Sequence, residues 1–240
     1  GTVIFMLAAI SILNGFSSIL TLPAYAIVFA ILSGFTNLEV GDTLYMIGIE
    51  SIGVARAVPI SSVYPLFTAL LSYFFLGEKL TLFLLVGTVL IIVGLRFLTS
   101  KNSSNNQMHS KSFRRGVLAA GAAAVSWSIG LVSMKVALHG GDAFSINTIR
   151  ASSMAIAFFI AMPLIDRSGE VFRIPRRAWI ILTAGGVVSL PLGWTFMGIS
   201  LQHIDASKAV PLSAISPFFA TLAAAIFLRE RVGFKIILGS

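Results

Sequence analysis

The sequence predicts an all-α membrane protein, a polytopic helical bundle, and three observations carry that expectation. Apolar residues make up 57% of the chain and charged residues 11%, too little charge to coat a water-soluble globule. The apolar residues gather into nine segments, the last of them short, where a membrane helix needs about 20 residues to cross a hydrocarbon core roughly 30 Å thick. A hydrophobic stretch is also written twice, as AVPISSVYPLFTALLSYFFLGEKL from Ala57 to Leu80 and as AVPLSAISPFFATLAAAIFLRERV from Ala209 to Val232.

The segments run over 2–20, 24–51, 54–76, 81–99, 116–138, 143–165, 177–202, 207–228 and 232 to the end. Helix is the expected form, because continuous runs such as Phe83–Leu98 lack the short alternating strands of a membrane barrel. Residues 2–20 have neither the basic flank nor the small-residue cleavage site of a secretory signal, so they count as a span. The chain opens directly in apolar sequence and closes inside the ninth segment, and is expected to be a fragment.

The second segment is interrupted by Asn37, Glu39 and Asp42, beside Gly34 and Gly41. Carboxylates at membrane depth are costly and mark a pathway by default. Glu39 and Asp42, three apart, would share a helical face. Two acids so placed resist being ionised together, which makes both candidate proton-coupling groups. The other reading is a solvated turn between shorter helices. At the corresponding place in the seventh segment the chain reads Ser189-Leu190-Pro191-Leu192-Gly193, and paired interruptions point to a transporter's binding site.

In the third and eighth segments Pro59, Pro65, Pro211 and Pro217 remove backbone hydrogen bonds and would kink their helices. Ser61 and Ser213 beside them offer hydroxyls to a ligand or to a close helix contact. Glu78 and Glu230 each follow one apolar helix and precede another, which suits an acid capping the next helix rather than a catalytic carboxylate. Trp127 and Trp194, with Tyr45, lie inside segments rather than at their ends, and would form an aromatic wall or pack. Lys135 would snorkel to the interface or meet an anion.

Residues 100–115, SKNSSNNQMHSKSFRR, are polar and separate the two written copies. They divide a first repeat, 1–99, from a second, 116–240. Counting crossings puts most Lys and Arg residues on the side of this linker, with Lys79, Lys135, Arg150 and Lys208 on the other. Such asymmetry marks the linker side as cytoplasmic and accounts for the net charge of +8 without nucleic acid. Ser18–Pro23 carries no charge where Asp166–Arg177 holds four arginines, so corresponding loops fall on opposite faces. An odd number of spans per repeat produces that inversion.

The paired proline segments, the glutamate at each helix exit, GDTLYMIGIESIG at Gly41–Gly53 and GVLAAGAAAVSWSIGLVSMKVAL at Gly116–Leu138 together resemble the EamA-like, two-repeat members of the drug/metabolite transporter superfamily. The resemblance covers essentially the whole chain. It implies two inverted five-helix repeats around a cavity opened alternately to either side, with about nine of the ten spans in this chain. The first helix and the end of the last would be absent. It does not imply one substrate.

There is no cysteine, hence no thiolate nucleophile or cysteine metal site. His109, His139 and His203 lie apart, and no phosphate-binding glycine loop is present. No enzyme activity, cofactor or metal is expected. The expected function is a secondary transporter of a small polar metabolite or drug, working by alternating access as an exporter or exchanger driven by protons or counter-substrate. Asp42, Tyr45, Ser61, Trp127, Trp194 and Ser213 are the substrate-binding candidates. A channel or a polar-lipid flippase is the alternative, and an integral membrane enzyme is more remote. The expected partners are a small solute and the bilayer of the cell membrane; a homodimer is compatible with this fold.

Overall fold

The computed structural model describes residues 17–80, 82, 85–90, 93, 110–165 and 175–215. Regular structure among the described residues is helical. In chain order the helices are α1 (Ser17–Leu20), α2 (Ala24–Gly34), a π-helical segment (Phe35–Gly41), α3 (Asp42–Ile52), α4 (Val54–Ser61) and α5 (Tyr64–Leu76). Beyond residue 109 come α6 (Ser110–Leu138), α7 (Ala143–Ile165), α8 (Arg176–His203) and α9 (Ala206–Ser213).

Four helical stretches among these residues are long and apolar enough to cross a bilayer: Ala24–Ile52, Arg56–Leu76, Ser112–Leu138 and Ala143–Ile160. The first, of 29 residues, would measure about 43 Å as ideal helix. Small side chains are buried and large apolar ones exposed. Ala120, Ala123 and Ala124 are 0% exposed while Phe75 is 75% exposed. Lipid is as apolar as leucine, so helices associate by close backbone approach rather than by hiding large side chains.

The described residues divide into two compact units, one drawn from Gly1–Phe35 and Ser133–Ile204, the other from Thr36–Val132 and Asp205–Ser240. Each takes segments from both sides of the polar stretch at 100–115. In the first unit α7 packs on α2 and on α8. Asp142 starts α7 by accepting the N–H groups of Phe144 and Ser145 on Oδ1 at 2.9 and 3.0 Å, a side-chain cap for orphan donors. Gly198 lets α8 close on α7, since a Cβ there would lie 2.9 Å from that of Ala143.

In the second unit α3 lies along the first half of α6. A Cβ on Gly48 would come 3.2 Å from the Ala120 Cβ, and one on Gly116 would run into Ile52. Ile52, Ala57 and Ala120 form a buried core there. α5 ends at Gly77, whose φ of 67° favours glycine. The turn delivers Glu78 to α9, where its two carboxylate oxygens accept the N–H groups of Ala206 and Ser207, each at 2.8 Å.

Several expectations change here. The span expected over 54–76 is two helices, broken at Ser62 and Val63. Pro65 sits in the first turn of α5, where its missing N–H costs nothing, so it starts a helix rather than kinking one. Pro59 lies inside α4, which ends two residues later. α9 repeats this form, with Pro211 inside and its end at Ser213. Glu78 is a cap, and the helix it closes among the described residues is α9. α8 runs unbroken from Arg176 to His203, so Pro191 does not interrupt it as Phe35–Gly41 interrupts the second segment. Pro217 and Glu230 lie outside the described residues.

Candidate functional site

The π-helical segment opens the second unit's site. A π turn widens the backbone by one residue per turn and recurs at functional sites, and here α6 holds it. Asn37 donates from Nδ2 to the Trp127 carbonyl at 3.2 Å, and Ser126 donates from Oγ to the Thr36 carbonyl at 2.5 Å. Gly130 makes room, because a Cβ on it would stand 2.6 Å from Asn37 Cβ. Asn37 is 4% exposed, so its polar group is spent on fixing the widened turn.

Trp127 is the centre. Its indole Nε1–H donates to Asp42 Oδ1 at 2.9 Å. Tyr45, one turn beyond Asp42, packs on the indole with ring centroids 5.2 Å apart. Tyr64, at the start of α5, meets it edge-on at 5.8 Å and 83°. Gly41 is obligatory beside them, since any Cβ there would strike the indole. Ser128 ties the wall to α5, its hydroxyl 2.8 Å from the carbonyls of Tyr64 and Ala124. The Ser213 hydroxyl lies near the Tyr64 phenol.

Asp42, Tyr45, Trp127 and Ser213 are thus brought together in one unit, with Tyr64 as the link. Ser61 is not among them. It is 2% exposed and donates to the Val58 carbonyl of its own helix at 3.1 Å, the back-bonding that ends helices. Ser213 makes the equivalent bond to Val210 at 2.7 Å. Glu39 lies in the π segment with Asp42 as its charged neighbour. Its Oε1 is buried without a hydrogen-bond partner among the described residues. A carboxylate flanked by aromatic faces is suited to an ammonium or sulfonium group, which gains from both the charge and the ring quadrupoles.

Trp194 belongs to the first unit. The Arg150 guanidinium carbon stands 4.3 Å from the centroid of its ring. Asn147 joins them, donating from Nδ2 to the Trp194 carbonyl at 2.9 Å and accepting from Arg150 Nη1 on Oδ1 at 2.7 Å. The charge map assigns Arg150 to the face opposite the linker; it is 1% exposed, inside α7. Lys135 does not snorkel. It donates to the carbonyls of Leu201 and, at 2.9 Å, Ile204, capping the C-terminal end of α8 where a cation complements the helix dipole.

Sequence reasoning missed Asn147 and Arg150, although an arginine several residues inside an apolar segment was a visible signal. Among the described residues no group of acids and histidines is arranged to hold a metal ion.

Long apolar helices with buried small residues define a polytopic helical membrane protein. The sequence model of the EamA-like transporter family matches residues 1–100 and again 114–240, and the chain belongs to that family. An uncharacterized transporter of Archaeoglobus fulgidus is 23% identical over 210 residues, covering 87% of this chain and 70% of its own length. An S-adenosylmethionine/S-adenosylhomocysteine transporter of Chlamydia muridarum is 31% identical over 109 residues, covering 45% of this chain and 33% of its own. A probable terminal-alkyne amino-acid exporter of Streptantibioticus cattleyicolor is 30% identical over 117 residues, 48% of this chain and 38% of its own.

Proposed function

We propose that the protein is a secondary transporter of the cell membrane that exports or exchanges a small metabolite bearing an ammonium or sulfonium group, by alternating access between two inverted repeats. The observation that carries this reading is the Asp42 carboxylate held at 2.9 Å by the Trp127 indole, with Tyr45 and Tyr64 on the same ring. Asp42 is exposed, so a cation can reach it, and the ring quadrupoles add to the attraction of its charge. The names of the two partial relatives support the class, since S-adenosylmethionine and amino acids both carry an α-ammonium group. Glu39 and Asp42 are the groups through which protons would be coupled. Residues 100–115 would be the cytoplasmic linker.

A thermal-shift screen of the purified protein against amino acids, S-adenosylmethionine, nucleobases, nucleotide sugars, sugar phosphates and cationic drugs tests this. A ligand at 100 times its dissociation constant adds about 2.7 kcal/mol of apparent stability. Stabilisation confined to α-ammonium compounds and lost in Asp42→Asn is the expected result. Folded protein that no solute stabilises, but that a phospholipid does, would replace the solute transporter with a lipid flippase.

A further inference from the structure

We infer that Arg150 is an anion-recognition residue for the carboxylate of a small solute. This inference rests on the transporter reading above.

A guanidinium has five N–H donors and cannot shed its charge under ordinary conditions. Arg150 is 1% exposed. Nη1 is occupied, by Asn147 Oδ1 at 2.7 Å and by Met134 Sδ at 3.1 Å, the latter a weak acceptor. Nε and Nη2 are buried and have no hydrogen-bond partner among the described residues. No ion pair with a described carboxylate engages the side chain; the one such pair among the described residues is Lys208 with Asp205.

An unpaired charge removed from water is among the costliest things a fold can contain. The Trp194 face at 4.3 Å offsets part of that cost. It leaves the two in-plane nitrogens open, and Nε with Nη2 is an edge whose paired N–H groups match the two oxygens of a carboxylate. Asn147 is positioned from both ends, by Trp194 and by Arg150, so the edge is pre-oriented. Gly198 brings α8 against this group, since a Cβ on it would lie 3.1 Å from Asn147 Nδ2 and 3.1 Å from Met134 Cε.

Both open nitrogens are enclosed, so an anion reaches them only when the helices around them part. Recognition of the carboxylate is thereby tied to a conformational change, as a ligand shifts an equilibrium only by binding one state better than the other.

The test uses the purified protein in phospholipid-free detergent. Melting temperature is followed while sodium acetate or L-alanine is titrated against sodium chloride or L-alaninamide at constant ionic strength. The expected result is a rise with acetate and L-alanine that chloride and L-alaninamide do not produce. Arg150→Gln, relieved of an uncompensated charge, should melt above wild type without carboxylate and show no response to it. Arg150→Lys, which keeps the charge but not the paired edge, should need about tenfold more acetate for half the shift.

Three results would overturn the inference: Arg150→Gln melting below wild type in every buffer, which marks a structural role; acetate acting like chloride on wild type; or Arg150→Lys titrating as wild type, which also decides the matter if the glutamine variant does not fold. A shift with phosphatidylglycerol but not with acetate would overturn it in favour of a lipid headgroup. Uptake of S-adenosylmethionine and L-alanine into proteoliposomes keeps the two readings apart. No uptake with the acetate shift intact removes the transport function alone, while uptake equal in wild type and Arg150→Gln removes this inference alone.

Discussion

Glu78 closes the N-terminus of the helix that carries Ser207, a residue 129 positions away: its Oε2 accepts the Ser207 N–H at 2.8 Å while Oε1 takes that of Ala206. The carboxylate is 7% exposed, so the pair of bonds is made where water competes little. A charge-assisted cap of this kind joins the end of α5 to the start of α9 and places Ser213 at the far end of that helix.

Glu78→Ala should therefore cost about 1.5–3 kcal/mol, the range of a lost hydrogen bond to a charged group, and lower the melting temperature. Glu78→Gln, which keeps one good acceptor, should cost less. Equal loss in both variants would show that the charge rather than the acceptor geometry matters.

Gly41→Ala should push the indole of Trp127 off Asp42. Overpacking a close contact costs about 1–3 kcal/mol, and ligand-dependent stabilisation should vanish with it. Gly121, with nothing within 4 Å of its would-be Cβ, is the control. Gly121→Ala should lose no stability, because alanine is the better helix former.

Asp42→Asn retains an oxygen for the Trp127 N–H and so should fold and express as wild type, yet lose pH-driven uptake in proteoliposomes. Uptake that keeps its pH dependence in this variant would end the coupling role and leave Glu39 as the candidate.

Trp127→Phe removes the indole donor and keeps a ring for Tyr45 and Tyr64. Binding of α-ammonium compounds should weaken about tenfold, worth about 1.4 kcal/mol, with little change in melting temperature when no ligand is present.

Lys135→Met should cost about 1 kcal/mol, the worth of a cation at a helix C-terminus, since the carbonyls of Leu201 and Ile204 lose their donor. Lys135→Arg should restore most of it. A methionine variant as stable as wild type would assign Lys135 to the surface.

Helical class, membrane character and the place of most helices were legible in the residues, because apolar run length and low charge follow from the need to satisfy backbone groups inside a bilayer. The repeated proline and serine of α4 and α9 were legible as matching positions, but the sequence read them as kinks within longer spans, and the ends at Ser61 and Ser213 came only with the structure. What a residue meets across the fold was not legible. Asp42 and Trp127 are 85 positions apart, and nothing in either segment's composition pairs them. The π-helical segment depends on Asn37 and Ser126 bonding between helices, so the sequence showed an interruption there but not its form. Charge counts read position along the chain and assigned Arg150 only to the face opposite the linker, whereas the packing of α7 with Trp194 and Asn147 leaves it buried with two donors unspent among the described residues. Local chemistry chose the elements of this protein, and contacts between distant segments chose which of its polar groups are satisfied.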